Sequence, residues 1–173
     1  MDALVIIDVQ VGMFTSPGYT PHDGDGTVAR IAGLLERARK AGTPVFFVQH
    51  AGGKGDPLEE GAPGFPFRPE LAPRAGESTT VKRHCSAFQQ TDFDARLKRA
   101  DIDHLIICGM QTEFCVDTTV RAAYERGYKA TLASDGHTTF DTKTLPAASI
   151  IAHTNATLGS GFATLKKAEE IVL

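Results

Sequence analysis

Three residues of this chain, Asp8, Lys82 and Cys115, have the types needed for nucleophilic acyl transfer. In that chemistry a thiolate attacks a carbonyl carbon, a carboxylate accepts the thiol proton and returns it to a leaving amine, and an ammonium holds the two anionic groups in place. Each residue also has a plainer use. Asp8 could cap a loop or pair with a surface cation, Lys82 is one of 18 Lys and Arg residues, and a free cysteine is most often a small buried hydrophobe. The surroundings of Cys115 favour chemistry. It lies in GMQTEFCVDTTVRAAYERGY, residues 109–128, directly after the apolar run DHLIIC. Phe114, Val120, Ala123 and Tyr124 fall near helical spacing, and Gly127 is placed to end the helix. Thr112 is then the expected N-cap and Cys115 the third helical residue. Unpaired backbone N–H groups and the positive end of the helix dipole favour a thiolate there, so a lowered thiol pKa is expected. The same N–H groups could hold a developing oxyanion.

These residues need a scaffold, and the rest of the chain supplies a repeating one. ALVIIDV reads as a first strand, and Ile31, Leu34, Leu35 and Ala38 mark one face of a helix ending near Gly42. PVFFVQH, TTVKRH, DHLIICG, YKATLAS and a segment near GFATL read as further strands. Helices are expected around DFDARLKRA, with Asp92 as cap, and around Ala147, Ile150, Ile151, Thr154 and Leu158. This alternation predicts one α/β domain over residues 1–173, with a parallel sheet covered by helices on both faces. In such sheets ligands bind beyond the carboxyl ends of the strands, where strand order reverses. Asp8, His50 and Lys82 end the first three strands, Cys115 follows the fourth, and Asp135 and His137 follow the fifth. Residues 51–77 break the rhythm with six glycines and five of the nine prolines. Phe65 and Phe67 within them argue for an ordered loop partly covering a site.

Composition narrows the partners. A formal charge of −3 without long charged runs gives no electrostatic case for nucleic acid or an anionic membrane surface, so a small-molecule substrate is expected. The opening MDALVIIDVQ is too short and too acidic for a signal peptide or a membrane span. Cys85, Cys108 and Cys115 are odd in number and lack metal-finger spacing, which fits a reducing cytoplasm. The six histidines are scattered, with His50 and His137 as possible substrate contacts. No Walker loop is present, and no G-x-G-x-x-G follows the first strand, so no nucleotide cofactor is expected.

Taken together, LVIIDVQVGMF, PELAPRAGE, VKRHCSAFQQTDFDARL and LIICGMQTEFCVDTTVRAAYERGY resemble the isochorismatase-like cysteine hydrolases over nearly the whole chain. The resemblance implies a six-stranded parallel sheet in a three-layer α/β/α sandwich of Rossmann-like topology, assembled as a homodimer or homotetramer. It implies a catalytic triad of Asp8, Lys82 and Cys115, a cis peptide between Met110 and Gln111, and an oxyanion hole from the N–H groups of Gln111 and Cys115. Gln10 and Phe14 become expected pocket residues, beside His50. Nicotinamidases of this family bind a metal through an aspartate and histidines after the second strand. This chain has QHAGGKGD there, so no metal is expected. Isochorismate-cleaving members do not use the cysteine, and its presence favours an amide or related C–N bond. The motifs GMQTEFCVDTT and SDGHTTFDT look closest to the uncharacterised and streptothricin-hydrolase-like branch. A vinyl-ether hydrolase with Cys115 as a spectator, and a catalytically silent binding subunit, are the alternatives.

Overall fold

The computed structural model describes residues 1–173. Six strands form one parallel sheet: β1 (Asp2–Ile7), β2 (Val45–His50), β3 (Ser78–Lys82), β4 (His104–Met110), β5 (Lys129–Thr138) and β6 (Thr164–Lys166). Their order is β3-β2-β1-β4-β5-β6. The chain runs outward from β1 to β3, then returns to place β4 on the other side of β1. Strand order therefore reverses between β1 and β4, and a crevice opens at their carboxyl ends.

The apolar strands are buried on both faces, as an all-parallel sheet requires. Along β1, Leu4 and Ile6 pack toward α2 (Gly24–Ala41), which contributes Val28, Ile31, Leu34, Leu35 and Ala38. The alternate residues Ala3, Val5 and Ile7 pack on the opposite face. There they meet Phe93 and Leu97 of α3 (Phe93–Arg99) and Val120 and Ala123 of α4 (Asp117–Glu125). Leu158 of α5 (Ala147–Gly159) joins the same cluster. The sheet is thus the middle layer of a three-layer α/β/α sandwich. The long α2 helix ends where expected, with Gly42 in the left-handed region at φ 75°. A single four-residue turn, α1 (Gly12–Thr15), lies between β1 and α2.

The glycine- and proline-rich segment is an ordered loop containing only one short 3₁₀ turn, Pro69–Leu71. Backbone hydrogen bonds tie it to the chain after β1: Val11 N–H donates to Pro66, Gly12 N–H to Gly64 and Arg68 N–H to Val9. Phe67 is buried, its ring 5.2 Å from that of Phe47 on β2. At the loop's end Glu77 accepts two 2.8 Å hydrogen bonds from the Arg39 guanidinium of α2.

Two local expectations are corrected. β5 does not stop near Ser134 but continues to Thr138, so Asp135 and His137 lie within it. Its pairing with β4 jumps from Ile107–Leu132 to Gly109–His137, a bulge in which Ala133, Ser134, Asp135 and Gly136 face the single residue Cys108. Thr112 is not an N-cap. The turn after β4 is a π-type turn over Thr112–Val116 with Gln111 at the cap position, because the Gln111 carbonyl accepts from both Phe114 and Val116 N–H. Cys115 is therefore the fourth residue of that turn.

Candidate active site

The crevice collects polar groups that the sheet alone would not bury. Asp8 follows β1 directly and is 1% exposed. It sits at φ 52°, a conformation costing a non-glycine residue on the order of 1–3 kcal/mol, and its N–H donates to Val48 of β2 at 2.8 Å. Lys82 closes β3, also 1% exposed, and pairs in register with His50 at the end of β2. Cys115 approaches from beyond β4 on the π-type turn and is partly buried.

Lys82 is the hub. Its Nζ lies 2.6 Å from Asp8 Oδ2, 3.2 Å from Cys115 Sγ and 3.4 Å from His50 Nδ1, so its three protons face three acceptors. Burial alone would push the Lys82 ammonium toward neutrality. Asp8 and Cys115 outweigh it and hold the lysine above its ordinary range. His50 is held below its ordinary value, first by burial and then by the Lys82 charge, and because an ammonium only donates, the neutral ring meets Lys82 with Nδ1 as acceptor. Burial raises the Asp8 carboxyl despite the opposing pull of Lys82. Its second oxygen, Oδ1, is buried and has no hydrogen-bond partner. Burial also raises the Cys115 thiol, and the Asp8 charge pushes it the same way against Lys82. The expected lowered thiol pKa is therefore reversed: this geometry favours a thiol beside a base with one free oxygen.

The remaining candidates take different places. Gln10 is fully buried and its amide is committed to the backbone. It donates to the carbonyls of His50 and Phe65 at 3.0 and 2.8 Å and accepts from His50 N–H at 2.9 Å, fastening the long loop to the end of β2. Phe14 packs against the α2 side of the core with the Arg68 guanidinium 4.7 Å from its ring centroid. His137 is 2% exposed with both ring nitrogens engaged, by Thr112 and Asn155, so it is not open to a substrate. The Met110–Gln111 peptide is cis. Phe114, next to the cysteine in sequence, is half exposed. The partnership of Thr112, His137 and Asn155 was not foreseen from sequence, since nothing in their spacing marks it. No group of three or more His, Cys, Asp or Glu side chains is gathered as metal ligands would be. A groove of about 660 Å³, lined by His104, Tyr128, Lys129 and Phe162 among others, lies at the amino ends of β4, β5 and β6 and holds none of the hub residues.

Comparison with known proteins places the chain in a family. The Isochorismatase domain model matches residues 2–158. The uncharacterised isochorismatase family protein YddQ of Bacillus subtilis is 30% identical over 173 residues, covering 96% of each chain. A streptothricin hydrolase of Streptomyces noursei is 32% identical, covering 89% of this chain and 54% of that protein. The ureidoacrylate amidohydrolase RutB of Variovorax paradoxus is 30% identical, covering 77% of this chain and 67% of that one. Among solved structures, an isochorismatase from Pseudomonas putida superposes with a TM-score of 0.93 at 34% identity, covering 99% of this chain and 90% of the other. With a matching fold, relatives along nearly its whole length and a polar crevice at the point of strand reversal, the chain belongs to the isochorismatase family of hydrolases.

Proposed function

We propose that this protein is a cysteine hydrolase that cleaves the C–N bond of a small amide or lactam through a thioester at Cys115. The observation that carries this reading is the Lys82 ammonium, fully buried and within hydrogen-bond reach of both Asp8 Oδ2 and Cys115 Sγ. A buried lysine needs a compensating charge, and here one carboxylate supplies it while leaving its other oxygen free as a base. Relatives bearing the names streptothricin hydrolase and ureidoacrylate amidohydrolase support a hydrolase acting on C–N bonds.

The steps follow from these groups. Asp8 takes the Cys115 proton as Sγ attacks the carbonyl carbon, so the raised thiol pKa is overcome only when substrate is in place. N–H groups at Gln111 and Cys115 receive the oxyanion. The C–N bond breaks, Asp8 passes its proton to the leaving nitrogen, and a sulfur–carbon bond remains. Asp8 then deprotonates water, which attacks the thioester. The acid leaves and Cys115 recovers its proton. Lys82 stays charged throughout and balances whichever neighbour is anionic. His50 fits the substrate-contact role better than Gln10 does, since only its Nδ1 is committed, while Gln10 holds the loop.

The test is a panel of small amides and lactams read by intact-protein mass spectrometry under single-turnover conditions. An acyl adduct on the wild type, lost together with turnover in Cys115→Ala, is expected. Wild-type turnover in Cys115→Ala, with Asp8→Asn inactive, would instead establish a non-covalent mechanism of the vinyl-ether type.

A further inference from the structure

Behind the crevice, on the side away from Asp8 and Lys82, the cysteine-bearing turn is held by a second set of polar groups. Thr112, its first residue, is fully buried, and its Oγ1 lies 2.8 Å from His137 Nδ1 on β5. His137 Nε2 lies 3.0 Å from Asn155 Oδ1 on α5, and Asn155 Nδ2 donates to the Ser134 carbonyl at 2.9 Å. The direction of every bond can be assigned from the last one. A carbonyl only accepts, so Asn155 presents its amide nitrogen to Ser134 and its oxygen to the histidine. His137 must then carry its proton on Nε2. Burial holds the ring neutral, so Nδ1 is an acceptor and the Thr112 hydroxyl donates. Four groups from three elements are satisfied in one chain, with no member left to bind substrate.

The β5 bulge makes this chain possible. The four residues Ala133 to Gly136, facing the single residue Cys108, interrupt pairing with β4 and set His137 opposite Gly109, three positions before Thr112. Asn155 pins the bulge at Ser134 and the imidazole with the same side-chain amide. The turn is thereby tethered from β5 and α5, independently of the Lys82 contact to Cys115.

From this juxtaposition we infer that His137, oriented by Asn155, is a positioning residue that fixes the oxyanion-binding turn through the hydroxyl of Thr112. The inference rests on the covalent reading above, because the turn matters only if Gln111 and Cys115 N–H groups receive an oxyanion. A displaced donor costs catalysis without changing the thiol itself.

Two reagents separate these effects. Acetylation of Cys115 by p-nitrophenyl acetate passes through an oxyanion, whereas alkylation by iodoacetamide displaces iodide and forms none. Thr112→Val keeps the shape and deletes the hydroxyl. It is expected to lower the ratio of acetylation to alkylation rate by roughly 10- to 100-fold, as for the loss of a supporting contact behind a reacting group. Thr112→Ser, which restores the hydroxyl, should stay within about threefold of the wild type on the same scale. His137→Phe should add little to Thr112→Val, because both cut the same tether. If His137→Phe fails to fold, the Thr112→Val and Thr112→Ser pair decides alone. An unchanged ratio in Thr112→Val, or equal losses in Val and Ser variants, overturns the inference while leaving the covalent reading intact. If the wild-type cysteine alkylates but never acetylates, the covalent reading falls and takes the inference with it.

Discussion

At the scale of single residues, burial and the helix terminus compete for the ionisation of Cys115, and magnitudes decide between them. A helix N-terminus favours an anion by about 0.3–1 kcal/mol. Burial of an ionisable group shifts its pKa by up to about 3–5 units, each worth about 1.4 kcal/mol. Lys82 offsets part of that, yet the Asp8 charge raises the thiol further. That these three residues come together was legible in sequence because each ends or follows an apolar strand. The ionisation state was not, because it depends on how deeply the partners are packed. The prediction is a dissociation between reactivity and turnover. Asp8→Asn removes the charge that raises the thiol, so the pH midpoint for iodoacetamide alkylation of Cys115 should fall below that of the wild type. Turnover of an accepted amide should nevertheless drop by on the order of 10²–10⁴, since the proton shuttle is gone. Lys82→Met should move the alkylation midpoint upward. A midpoint that rises in Asp8→Asn would mean that its charge does not face the sulfur.

At the scale of elements, the strands and long helices follow from local pattern, while the connections that aim the site do not. Ile31, Leu34, Leu35 and Ala38 announce α2 by spacing alone, and all four are fully buried. The β5 bulge and the π-type turn carry no such signature. Each settles a conflict between strand register and the groups that must meet beyond the strand, and Asn155 enters from α5, 18 residues after His137. Gly109 shows how tightly that junction is built. It adopts φ 127° opposite Ile7, and a β-carbon there would lie 2.0 Å from the Ile7 carbonyl oxygen. Alanine would have to push β4 from β1 at the point of strand reversal. Gly109→Ala is therefore expected to lose at least about 3 kcal/mol in urea unfolding, combining backbone strain with overpacking. Gly53 in the long loop has no atom within 4 Å of the corresponding position, so Gly53→Ala should stay within about 0.5 kcal/mol of the wild type. Comparable losses in the two variants would show that the β1–β4 junction yields more easily than its packing implies.

For the whole molecule, two apolar cores clasp one sheet, and the polar groups caught between them tie stability to pH. No helix is long and apolar enough to cross a membrane. Cys108 on β4 provides the cleanest case, because it is wholly buried in the α2-side core, burial raises its thiol, and no charged group contributes to the shift. Its folded-state pKa is raised, whereas the unfolded chain releases the proton near the ordinary thiol value of about 8.5. The stabilisation is therefore fully present below about pH 8.5 and is lost as pH rises, when the unfolded state alone ionises. The slope reaches about 1.4 kcal/mol per pH unit for one such group. The raised Cys115 thiol adds to the same alkaline limb. His137, held neutral by burial, acts at the other end: its contribution is present above about pH 6.5 and declines as the pH falls below that value. Stability should consequently form a plateau between these limits. Equilibrium urea unfolding of the wild type and Cys108→Ala from pH 7 to 10.5 measures the alkaline side. Cys108→Ala should be less stable at pH 7 because of the cavity, but its stability should fall less steeply above pH 8.5. Parallel curves for the two proteins over that range would mean that the thiol reaches solvent, and that the core beneath β4 opens more readily than its packing implies.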